Sequence, residues 1–146
     1  MNPMTTSVHY LLDIAALIEL QAFAFERRDD LLTAITPAGA KLRAVGMALA
    51  RDAQRQLDGA SALEKKDALY SELGEAIKQT QQLMMRLQGE GMRARLFEDA
   101  LRLLGEVKQQ TIVYLNDRAG WLEALRASPD EMADCRWFLA DLLAEG

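Results

Sequence analysis

VHYLLDIAALIELQAFAF, residues 8–25, is apolar on more than one helical face. In three- and four-residue steps Val8, Leu11, Ala15, Ile18, Ala22 and Phe25 form one stripe, and Ile14, Leu17, Leu20 and Ala24 form a second beside it. A helix apolar over that much of its circumference must be covered from two sides. It is either the centre of a helical bundle or a helix that also meets another chain. Leu17, Leu20 and Ala24 are the residues expected to carry self-association, and a homodimer follows from a strip left over after packing within the chain.

On the N-terminal side, Thr5, Thr6 and Ser7 offer caps for a helix predicted over Val8–Ile35. Glu26 to Asp30 interrupt it with charge and read as a solvated shoulder. Thr36-Pro37 is predicted to end that helix and open a second over Pro37–Leu57, with Leu42, Val45, Leu49, Ala53 and Leu57 inward. Asp58-Gly59 is a stop signal, and Ser61 with Glu64 makes a capping-box start for a third helix. That helix carries Leu69, Leu73, Ile77, Thr80, Met84 and Leu87 on one stripe and ends at Gly89-Glu90-Gly91. A fourth is predicted over Met92–Ala127, with Gly105 and Gly120 as the places where it could bend. Ser128-Pro129-Asp130-Glu131 starts a short last helix that turns Met132, Cys135, Phe138, Leu139 and Leu142 inward.

These elements predict a single all-α domain over residues 1–146, an antiparallel helical bundle of four long helices plus a short C-terminal helix. A formal charge of −5 argues against a nucleic-acid partner. One cysteine, Cys135, and one histidine, His9, leave no disulfide and no Cys- or His-based metal cage. The first apolar run contains Asp13 and Glu19 and falls short of the roughly 20 apolar residues a membrane span needs. It has no basic leader, so a cytoplasmic chain with no membrane partner is expected. Trp121 and Trp137 either seal the end of the bundle or mark a binding hot spot.

Nucleophile and phosphate-loop motifs are absent, and no catalytic residue and no cofactor is assigned on the main reading. Two acid-x-x-acid pairs, Glu72 with Glu75 and Glu131 with Asp134, each put two carboxylates one turn apart on one helix face. SELGEAIKQ (71–79) and DEMADCRWFLADLL (130–143) resemble segments of the all-α nucleotide pyrophosphohydrolases of the MazG kind. That resemblance implies Mg²⁺-dependent hydrolysis of nucleoside triphosphates, with Glu72, Glu75, Glu131 and Asp134 as metal ligands.

AFERRDDLLTAITPAGAKLRAV (24–45) and LMMRLQGEGMRARLFEDALRLL (83–104) resemble small helical export chaperones of the FlgN and FliT kind. Those are acidic, all-helical bacterial proteins that bind amphipathic helices of secretion substrates. The residues themselves point the same way: Met84, Met85 and Met92 cluster around a glycine junction, and flexible thioethers suit a groove that adapts to a partner helix. Met84, Met85, Met92, Arg93, Leu96 and Phe97 are therefore the expected protein-partner site of an adaptor or chaperone-like protein. A subunit of a larger assembly is the third class this composition allows.

Overall fold

A computed structural model describes residues 3–24, 27–60, 63–90 and 94–145, with the side chains of all of these except 3, 22–24, 94–97 and 145. Among the described residues there are six helices and no strand: α1 (Pro3–Ala24), α2 (Asp29–Leu57), α3 (Lys66–Gly89), α4 (Ala94–Asn116), α5 (Arg118–Arg126) and α6 (Pro129–Glu145). None is long and apolar enough to cross a membrane.

Helix α1 begins five residues earlier than predicted. Pro3 stands in the first turn, where its missing N–H is not needed, so the helix starts there and Thr5 and Ser7 are carried inside as buried residues rather than caps. Met4, Val8, Leu11, Ile14, Ala15 and Ile18 are buried. They are covered from two sides, by α2 and by α4.

The boundary between the first two helices lies in the charged segment, not at Thr36-Pro37. Asp29 and Asp30 occupy the first turn of α2, where acids meet the positive end of the helix dipole. Pro37 lies inside this 29-residue helix. An interior proline removes one hydrogen bond and costs about 3 kcal/mol. Pro37 is exposed, however, while Leu31, Ile35, Ala38 and Leu42 form one buried stripe running past it on the opposite side. Burying such side chains is worth about 1.5–3 kcal/mol each, enough to keep the helix continuous.

Small residues let α1 and α2 approach. A Cβ built on Gly39 would stand 3.1 Å from Glu19 Cγ, and one on Gly46 3.3 Å from Leu12 Cδ2. The later glycine on α2 meets the earlier residues on α1, so the two helices run in opposite directions. Helix α2 ends at Leu57, and two residues on the chain turns at Gly59, whose φ of +73° suits glycine.

Two further boundaries differ from expectation. Helix α3 has Lys65 as its N-cap, and the capping-box residue Ser61 lies outside the described residues. Glu64 is spent differently, as described below. The predicted fourth helix is two: Asp117 interrupts it, its side chain accepting from the Gly120 amide at 2.9 Å and so starting α5. Gly105, offered as a bending point, lies exposed within an unbroken α4. Helix α6 begins where Ser128-Pro129 indicated and buries Cys135 and Leu139, with Met132, Phe138 and Leu142 partly buried beside them. In packing, α1 touches α2 and α4, α3 touches the same two, and α6 lies on α2 and α5.

Candidate functional site

A hydrogen-bonded polar cluster in the interior centres on Asp52, a fully buried carboxylate on α2. A charge in such a place must be paired and hydrogen-bonded. Its Oδ1 accepts from the Glu64 amide at 2.9 Å and from Arg118 Nη1 at 3.2 Å, and its Oδ2 accepts from the Tyr114 hydroxyl at 2.7 Å. Arg118 Nη2 also donates to the Glu64 carbonyl at 2.8 Å, and Arg55 Nη2 donates to the Glu64 carboxylate at 2.7 Å. Tyr114 in turn stands edge-on to Trp121, ring centroids 5.1 Å apart. Burial, then the Asp52 charge and hydrogen bond, push the Tyr114 phenol far above its ordinary range, so the hydroxyl stays protonated and keeps donating. The cluster joins α2, the segment before α3, α4 and α5. It is a clamp between elements.

The residues singled out from sequence separate. Met84 is fully buried, because it shares the inward stripe with Ile77, Thr80 and Leu87; it belongs to the core and not to a partner surface. Met85, one residue on and turned by about 100°, is 70 % exposed. Met92 and Arg93 lie outside the described residues, as do the side chains of Leu96 and Phe97. On α1, Leu17 is half-buried and Leu20 is 61 % exposed, while the Ala24 side chain is outside the described set. Trp121 is half-buried against Tyr114, and Trp137 stands 71 % exposed on α6. His9 pairs with Asp13 at 3.2 Å on the surface of α1.

The four carboxylates are not brought together. Glu72 and Glu75 are exposed on α3, Glu131 and Asp134 are exposed on α6, and α6 packs on α2 and α5. Among the described residues no three His, Cys, Asp or Glu side chains gather closely enough to hold a metal ion.

Two grooves between helices stand out among the described residues. The larger, about 590 Å³, lies between α1 and α4 and is lined by Thr6, Ser7, Tyr10, Arg102, Gly105 and Glu106 among others. The buried Ser7 hydroxyl at its edge has no hydrogen-bond partner. The smaller, about 320 Å³, lies between α2 and α3, with Thr33, Ala34, Pro37, Gln82, Leu83 and Arg86 in its walls. An ion-pair chain closes one end of it: Arg86 holds Asp30 at 3.1 Å, Arg28 holds the same carboxylate at 3.1 Å, and Arg28 reaches Glu90 at 3.1 Å. The hydrogen bond from Arg28 is the main reason the Asp30 carboxyl is held below its usual range. Neither groove was visible in the sequence, since each is made by two helices whose contact the pattern of one chain does not specify.

Comparison with protein-family models, with characterised proteins and with solved structures gives no match.

Proposed function

We propose that the protein is a helical interaction module: an antiparallel bundle of its four longer helices, in which the α2–α3 groove receives an amphipathic helix of a partner protein. The observation that supports this reading is the division of the groove lining between apolar and polar side chains. Ala34, Ala38 and Leu83 make a shallow apolar floor, and Gln79, Gln82 and Arg86 a polar rim. That division suits a helix laid in a groove, and Met85, outside the lining and about 60° round α3 from Gln82, is reached by a helix that overlaps that rim. An adaptor or export-chaperone role is the form of the activity that the resemblance to small secretion chaperones implies.

The experiment is capture of partners by the tagged chain, with a photo-crosslinking residue at Gln82, compared with the Met85→Glu variant. Met85 makes no core contact, so this change leaves the helix content intact. One dominant crosslinked protein that disappears with Met85→Glu is the expected result. Crosslinks unaffected by the substitution, or none at all, would sink this placement.

A further inference from the structure

The α1–α4 face lies across the molecule from the α2–α3 groove, since α1 and α3 each contact both α2 and α4. It carries two of the large exposed hydrophobic side chains, Leu20 on α1 and Val113 on α4, each over 60 % exposed at 61 % and 63 %. On α1, Thr6, Tyr10, Leu17 and Leu20 fall within about 40° of one line along the helix. On α4, Arg102, Glu106, Gln109 and Val113 do the same. Met4 shares one hollow with Gln110 and Val113, whereas Tyr10 shares another with Arg102, so α1 and α4 run antiparallel.

We infer that a second copy of this chain covers this face, its α4 lying antiparallel to α4 of the first across a two-fold axis midway between Arg102 and Glu106. The charges are self-complementary about that axis. Arg102 and Glu106 are one turn apart and of opposite sign, so in a two-fold pair Arg102 of each copy faces Glu106 of the other. Among the described residues Arg102 makes a long exposed contact to Asp99 at 3.5 Å.

The apolar residues fall into register under the same operation. Val113 lies about 13 Å along α4 from the axis, and Leu17 and Leu20 lie about 10–14 Å along α1 on the other side of it. The two-fold therefore brings Val113 of one copy level with Leu17 of the other, one helix aside, twice over. The extent is adequate as well. Helices of 22 and 23 residues side by side present a face of roughly 33 Å by 20 Å, approaching the ~800 Å² per partner of a standard interface.

Sedimentation equilibrium of the full chain tests this with Arg102→Glu, with Glu106→Arg and with the two variants mixed. The parent chain is expected to be a dimer. Each single variant sets like charges opposite one another at two places, and its dimer dissociation constant rises on the order of tenfold. In the equimolar mixture every 102–106 pair is again of opposite sign, so a heterodimer forms at parent-like strength. Leu20→Glu, at an exposed position, weakens the dimer of a chain whose circular dichroism is unchanged. A monomeric parent chain overturns the inference. So does a dimer indifferent to the single charge reversals, or a mixture no tighter than its components.

Discussion

Tyr114 donates its phenolic hydrogen to Asp52 across 2.7 Å, joining residues 62 positions apart in the chain. The Asp52 carboxylate is also the counter-charge for Arg118, whose side chain is only 12 % exposed. Replacing Asp52 by Asn keeps the shape and removes the charge, leaving a largely buried guanidinium without its ion. Asp52→Asn is expected to cost about 3 kcal/mol, read from the midpoint of urea denaturation at unchanged slope. Tyr114→Phe is expected to cost about 1–2 kcal/mol, because only one acceptor loses its donor. A smaller loss for Asp52→Asn than for Tyr114→Phe would contradict the pairing described.

Alkaline pH attacks the same bond. The Tyr114 phenol is held well above its ordinary 10.0 in the folded chain. The unfolded chain ionises first, so this group's contribution is complete below pH 10 and declines as pH rises beyond it. A melting temperature measured from pH 8 to 11 is expected to fall at the alkaline end, and the fall is shallower in Tyr114→Phe. Identical alkaline slopes in the two proteins would count against a raised phenol.

Two glycines of neighbouring helices are expected to respond with opposite sign to alanine. Gly105 has open space around its missing side chain, and Gly105→Ala gains about 0.5–1 kcal/mol from helix propensity. At Gly120 an added Cβ runs into the Asp117 carboxylate that accepts the Gly120 amide. Gly120→Ala therefore displaces a cap and costs about 1 kcal/mol or more. Paired thermal melts decide this directly, and two shifts of the same sign would be the adverse result.

Close approach of α1 and α2 gives a further expectation. A Cβ on Gly46 would already stand 3.3 Å from Leu12 Cδ2 and 3.5 Å from Leu11 Cβ. Gly46→Val places two more methyl groups there and is expected to destabilise by about 1–3 kcal/mol. Guanidinium unfolding that showed no loss would mean the helices separate without cost.

The all-helical class was legible because the apolar residues of α2, α3 and α6 recur at three- and four-residue steps and no alternating run competes with them. The start of α6 was legible because Ser128, Pro129 and Asp130 all say the same thing. The joint between α1 and α2 was misplaced because Asp29 and Asp30 read equally as a solvated patch or a first turn. Only the burial of Leu31 and Ile35 together with Ala38 and Leu42 settles that α2 runs through Pro37. The break at Asp117 needed the Asp117–Gly120 spacing to be read as a cap, which two isolated signals hardly suggest. Asp52 lay on the flank of an apolar stripe, an acid where none is expected, and that was the available hint. Its partners, at separations of 12, 62 and 66 residues, are a property of the packed chain alone. Met84 and Met85 show the finest limit: a cluster of like residues in sequence is split by a single step of helical rotation.

Pro37 divides what geometry presents as one helix. The Thr33 carbonyl, which in an ordinary helix would accept from residue 37, has no amide to receive there, and both residues line the α2–α3 groove. Amide exchange through α2 is therefore expected to show two blocks of protection. The block before Pro37 opens at a lower free energy than the block from Ala38 to Leu57, which exchanges only with the whole domain. A ligand helix seated in that groove would slow exchange in the first block preferentially, so its binding could be followed by isotope uptake in eight residues at the start of α2 (Asp29–Thr36) without knowing what the ligand is.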